Sequence, residues 1–79
     1  MKRDEFLAMM ADVLEVDTAE IRSEASLFDF PLYDSVCALT LMVRLEEDAK
    51  VVCSPNELAA LKTIADVEAL IALHAGFED

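Results

Sequence analysis

The residues able to do chemistry in this sequence are few. Asp34-Ser35 stands directly before the apolar run Val36-Cys37-Ala38-Leu39, where a helix is set to begin. A serine nucleophile needs a base and usually an orienting group, and His74 is the only imidazole in the chain. Nothing in the sequence brings His74 toward Ser35. There is no Gly-rich phosphate loop and no spacing typical of a metal site, so no catalytic residue and no bound metal are expected. Cys37 and Cys53 lie in apolar stretches without CxxC spacing and read as small buried hydrophobes. What Ser35 has is position. A hydroxyl at a helix N-terminus faces unpaired backbone N–H groups and the positive end of the macrodipole, which suits a covalently attached phosphate. The plainer reading of the same dipeptide is a helix N-cap supplied by either Asp34 or Ser35.

The elements that must position this hydroxyl can be read from composition and spacing. The chain has 79 residues, 56% of them hydrophobic, which predicts one domain over residues 1–79 with a real core. Seventeen acidic against six basic residues give a net charge of −11. That argues against nucleic acid, whose phosphates demand clustered Lys and Arg, and favours a monomer whose partners carry basic patches. No apolar run is long enough for a membrane span, and Lys2-Arg3 is not followed by a signal-type apolar region. The expected compartment is the cytoplasm.

Phe6, Leu7, Met10, Val13 and Leu14 predict a helix from about Asp4 to Glu15 with one apolar face. Asp17-Thr18-Ala19-Glu20 can cap a single turn, with Ile21 pinning it to the core. Arg22 to Tyr33 contains Pro31, which disfavours a helix, and five apolar anchors: Leu27, Phe28, Phe30, Leu32 and Tyr33. The expectation is an ordered loop packed over the core. A second helix should run from Ser35 to Asp48, its inward stripe formed by Ala38, Leu41, Met42 and Leu45. Val51 to Cys53 should be extended. Ser54-Pro55-Asn56-Glu57 is a capping box with proline at the first helical position, opening a short helix through Leu58 and Leu61. Thr63 with Asp66 caps a last helix carrying Ile64, Val67, Leu70 and Ile71, and Gly76 reads as a C-cap before a frayed tail. The predicted class is all-α, a small four-helix bundle with a long ordered first loop and a short third helix.

Taken together, these features resemble the acyl and peptidyl carrier protein family along nearly the whole chain. Asp34-Ser35-Val36 opens the second helix after a long loop, and Leu45-Glu46-Glu47-Asp48 closes it. Val16-Asp17 to Glu20-Ile21 is similar to the family's turn after helix one, Ser26-Leu27-Phe28 to its loop anchor, and Thr63-Ile64-Ala65-Asp66-Val67 to its fourth-helix start. The sequence departs from the pattern at Leu32, where many members have Gly, at Val36 for the common Leu, and at Ala49-Lys50 for an aromatic and Gly. Leu32-Tyr33-Asp34-Ser35 is closer to D-alanyl and other stand-alone aminoacyl carriers, and to some carriers of specialised pathways. Cys37 and Thr40 occupy positions early in the helix where fatty-acid carriers bear acids.

The resemblance implies that Ser35 receives 4′-phosphopantetheine from coenzyme A through a separate Mg²⁺-dependent phosphopantetheinyl transferase. Asp34 would present the serine or meet the transferase's metal. The arm's thiol would hold an acyl or aminoacyl group as a thioester, passed between loading and accepting enzymes with basic docking patches. Leu39, Thr40, Val43 and Glu47 would lie toward Ser35 and meet a partner, although Leu39 and Val43 also read as extra core under the loop. Arg44 either pairs with Glu47 or Asp48 within helical reach or tunes partner choice. The rival function is a small acidic helical adaptor without an arm, and a third is a carrier-like fold that has lost its modification.

Overall fold

A computed structural model describes residues 1–78. Four helices occur among them: α1 (Arg3–Leu14), α2 (Ser35–Ala49), α3 (Pro55–Ala59) and α4 (Ile64–His74). Buried Phe6, Met9, Met10, Leu14, Leu41, Leu45, Val67 and Ile71 belong to one apolar cluster shared by α1, α2 and α4. The all-α expectation holds, with a single isolated antiparallel bridge, Ser26 to Thr63, as the only extended pairing among the described residues.

Helix α1 stops one residue earlier than its apolar spacing suggests. Glu15 takes a left-handed conformation (φ 56°), and its N–H donates back to the Asp12 carbonyl. The Asp17–Glu20 signal works as read: the Asp17 N–H donates to the Glu20 carboxylate at 3.1 Å around a 3₁₀ turn over Thr18–Glu20. Ile21 is buried directly after it.

The first loop is ordered because its backbone is tied to the start of α4. The Leu27 N–H donates to the Lys62 carbonyl at 2.9 Å. In return the Ile64 and Ala65 N–H groups donate to the carbonyls of Ala25 and Ser23. A second 3₁₀ turn, Leu27–Asp29, starts at Ser26, whose hydroxyl accepts the Phe28 N–H at 3.2 Å. The five expected anchors divide. Leu27 and Phe30 are buried and Tyr33 is half-buried, but Phe28 and Leu32 are exposed. The reason is local geometry: consecutive residues of a tight turn cannot all face one core.

Helix α3 ends at Ala59, two residues short of Leu61, which is nonetheless buried. Its capping box is formed in both directions, Ser54 N–H to the Glu57 carboxylate at 2.9 Å and Glu57 N–H to the Ser54 hydroxyl at 3.1 Å. His74 then joins α3 to α4 through the Glu57 carboxylate at 2.9 Å. At α4, the Asp66 carboxylate accepts the N–H groups of Lys62 and Thr63, and the Thr63 hydroxyl accepts the Asp66 N–H. The expected frayed tail is corrected. Gly76 (φ +77°) reverses the chain. Phe77 then packs edge-on against Phe6 at 5.8 Å, with the Arg3 guanidinium 4.3 Å over its ring.

These caps predict an acid weakness. The Ser54 N–H and then His74 hold the Glu57 carboxyl below its ordinary range, and the N–H groups of Lys62 and Thr63 do the same for Asp66. Depressed carboxyl pKa values contribute stability that is present above the unfolded carboxyl range and lost as pH falls through the folded values. Thermal melts should therefore drop in midpoint below about pH 4, and Glu57→Gln with Asp66→Asn should flatten that dependence.

Candidate functional site

The site is built where the first loop delivers the chain into α2. Phe30-Pro31-Leu32-Tyr33 makes a β-turn, closed by the Tyr33 N–H donating to the Phe30 carbonyl at 3.1 Å, with proline at the position whose φ it presets. Leu32 is not among the positive-φ residues, so this turn does not demand a glycine there. Asp34 follows in extended conformation, and its carboxylate accepts the Cys37 N–H at 2.8 Å. Asp34 is thus the N-cap, which resolves the alternative the dipeptide leaves open. Ser35 is the first helical residue. It is exposed, and no side-chain hydrogen bond engages its hydroxyl among the described residues. One residue of the pair holds the helix and leaves the other's oxygen unoccupied.

Two clefts open at the head of α2, and Ser35 lines the first of them. On one side an apolar cleft of about 540 Å³ touches Asp34 and Ser35 and is walled by Phe28, Tyr33, Leu39 and Leu58. Phe28 meets Tyr33 edge-on with ring centres 5.7 Å apart. Burial pushes the Tyr33 phenol further up, so it stays neutral near pH 7. On the other side a more polar cleft runs past Leu32, Val36 and Thr40 to Asp12, Glu15 and Arg44. Tyr33 lines the first cleft and Leu32 the second, and Ser35 stays exposed.

Helix α2 turns its core face away from the site. Cys37, Leu41, Leu45 and Ala49 are the buried residues, spaced by four. Ala38 and Met42, expected inward, lie half-buried at the border of that stripe. Cys37 ties α2 to α1 through its thiol, 3.6 Å from the Val13 carbonyl. Leu39 and Val43 are exposed, so of the two readings the sequence leaves for them, extra core under the loop is ruled out. Thr40 donates its hydroxyl to the Val36 carbonyl at 3.1 Å. Glu47 is exposed one turn beyond Val43.

Arg44 forms the expected bond to Asp48, Nε to Oδ2 at 3.0 Å, and none to the Glu47 carboxylate. Its second partner is Asp12 on α1, joined through Nη1. Both carboxylates raise the guanidinium pKa, the hydrogen bond to Asp12 being the largest single cause. Asp12 escapes sequence reading because it looks like any solvated residue on the polar face of α1. A double-mutant cycle of Arg44→Gln and Asp12→Asn should give a coupling of about 0.5–1 kcal/mol that shrinks at high salt, measured by urea unfolding.

His74 bonds to Glu57 and lines neither cleft beside Ser35, so the site contains no imidazole. No cluster of His, Cys, Asp and Glu suited to a metal occurs among the described residues, and none of their helices is long and apolar enough to cross a membrane. An accessible, unbonded hydroxyl at the head of a 15-residue helix, beside an apolar cleft, fits a phosphodiester-linked arm.

Comparison with known proteins points the same way. Residues 4–71 match the family model described as a phosphopantetheine attachment site. The chain is 35% identical over 68 residues to acyl carrier protein MbtL of Mycolicibacterium paratuberculosis, covering 86% of this chain and 76% of that protein. It is 28% identical over 76 residues to polyketide-8 synthase acyl carrier protein 2 of Streptomyces avermitilis, covering 96% and 87%. The chain therefore belongs to the phosphopantetheine-attachment family of carrier proteins, which hold a covalent 4′-phosphopantetheine and leave catalysis to other enzymes.

Proposed function

We propose that Ser35 is the attachment point and that the protein carries an acyl cargo between partner enzymes. The observation that carries this reading is the division of labour at the head of α2: Asp34 caps the helix, and the Ser35 hydroxyl stays exposed and unbonded. A phosphopantetheinyl transferase would take the arm from coenzyme A and join it to the Ser35 oxygen as a phosphodiester. The arm, once bound, supplies a terminal thiol that holds cargo as a thioester. The chain's own residues orient and recognise. Asp34 fixes the direction of the first turn, and the helix N-terminus favours the negative phosphate.

The apolar cleft beside Ser35 supports an aliphatic or aromatic acyl cargo over a charged aminoacyl one. The names of the two relatives, both acyl carrier proteins, support the same choice. A net charge of −11 supports a monomer steered toward basic surfaces on its partners, in the cytoplasm where coenzyme A is available. Tethering raises the cargo's effective concentration at each partner without tight binding.

The test is intact mass after incubation with coenzyme A, Mg²⁺ and a broad-specificity phosphopantetheinyl transferase. Gain of one phosphopantetheinyl mass, localised to the peptide holding Ser35, is the expected result. No gain, under conditions that modify a control carrier, would sink the proposal.

A further inference from the structure

Attachment at Ser35 leaves the Tyr33 phenol without a task. Its residue is held in place: the Tyr33 N–H donates to the Phe30 carbonyl, and Phe28 meets the ring edge-on at 5.7 Å. The side chain is half-buried, yet no hydrogen bond engages its oxygen among the described residues. No buried side-chain oxygen or nitrogen lacks a partner among them, so this unbonded oxygen reaches open space. Tyr33 lines the apolar cleft that it shares with Ser35, walled by Phe28, Ala38, Leu39, Leu58 and Leu61. Among the described residues lining it, only Tyr33, Asp34 and Ser35 have polar side chains. The Asp34 carboxylate already accepts the Cys37 N–H, and the Ser35 oxygen becomes an ester once the arm is attached. Tyr33 is then the one lining side chain with a hydrogen to donate, and burial keeps its phenol protonated.

We infer that Tyr33 selects the cargo: its phenol donates a hydrogen bond to an oxygen carried on the acyl chain beyond the thioester, favouring a keto-bearing acyl group over a plain hydrocarbon one. The inference rests on the proposed attachment at Ser35 and narrows the class of cargo. The cost of an unmade bond decides between the two cargoes. A hydrocarbon chain filling the cleft would shut the phenol off from water and offer it no acceptor, which is unfavourable. A keto oxygen entering the same cleft would be stranded among apolar side chains unless a donor met it. Bringing the two together satisfies both. A keto oxygen only accepts, so it adds no second donor in need of a partner. Contact with Phe28 and the bond across the β-turn limit the freedom the phenol loses in making the bond.

The experiment loads the full chain with hexanoyl or β-ketohexanoyl cargo, using the matching coenzyme A thioester, Mg²⁺ and a broad-specificity phosphopantetheinyl transferase. Exchange of the cargo onto free mercaptoethanol is then timed by intact mass, for wild type and Tyr33→Phe. Comparing the two proteins with one cargo cancels the intrinsic reactivity of its thioester. Tyr33→Phe keeps the ring that meets Phe28 and removes only the oxygen, and thermal melts of the arm-free protein check the fold. The expected result is β-ketohexanoyl exchange about three- to tenfold faster in Tyr33→Phe, with hexanoyl exchange unchanged or slower. The melting temperature gives a reading independent of thioester chemistry: loading β-ketohexanoyl should raise it less in Tyr33→Phe than in wild type. Equal acceleration for both cargoes would assign the phenol to the thioester or the arm and overturn the cargo preference. No acceleration with either would overturn the bond itself, and both outcomes leave attachment at Ser35 standing. Absence of any loading of the wild type is different, since it removes the attachment and the inference with it.

Discussion

Ser35→Ala should abolish phosphopantetheinylation completely while leaving the melting temperature within about 2 °C of wild type. The two halves of this result come from one geometry. Ser35 is the first residue of α2, exposed, with no hydrogen bond from its side chain among the described residues. The cap belongs to Asp34, whose carboxylate still receives the Cys37 N–H after the substitution. Alanine is at least as good a helix former as serine, so no stability is lost with the hydroxyl. Asp34→Ala behaves oppositely, costing about 1 kcal/mol as the cap disappears. Intact mass and thermal melts on the two variants separate attachment from folding. Modification persisting in Ser35→Ala would move the site elsewhere. Were the protein an armless adaptor, Ser35→Ala would keep its full activity.

The largest stability effect should come from Leu27→Ala, at about 2–5 kcal/mol by urea unfolding. Leu27 is fully buried at the centre of the first loop, and its backbone is bonded to Lys62 before α4. Truncation leaves a cavity in the shared apolar core, in a domain whose total stability is only about 5–15 kcal/mol. The neighbouring Phe28 is 66% exposed and meets Tyr33 edge-on. Phe28→Ala should cost about 1 kcal/mol or less while opening the apolar cleft. A result in which the two variants lose equal stability would contradict the loop geometry described above.

This pair also shows where sequence reasoning stops. Ser26-Leu27-Phe28 reads correctly as an anchor, but spacing cannot say which side chain goes inward, because a 3₁₀ turn is set by the Ser26 cap and the strand-like contact with Thr63. The helices were more legible. The Ser54/Glu57 and Thr63/Asp66 signals are local and appear in the structure as written. The position of Ser35 was legible for the same reason: it stands at a helix start, which sequence marks well. The Asp12–Arg44 clasp and the packing of Phe77 on Phe6 were not, since each joins residues more than thirty positions apart. Such pairings are decided by how helices assemble.

The burial of both cysteines has a practical corollary. Cys37 and Cys53 are buried, and desolvation pushes both thiols up, Asp34 adding to the effect at Cys37 and Glu57 at Cys53. Near neutral pH the native polypeptide should thus be almost silent toward alkylating reagents, which the thiolate and not the thiol attacks. The arm's flexible thiol would then be the sole fast-reacting sulfur on the molecule. A maleimide dye added without denaturant would count unloaded arms directly, and the signal would vanish as cargo closes the thioester.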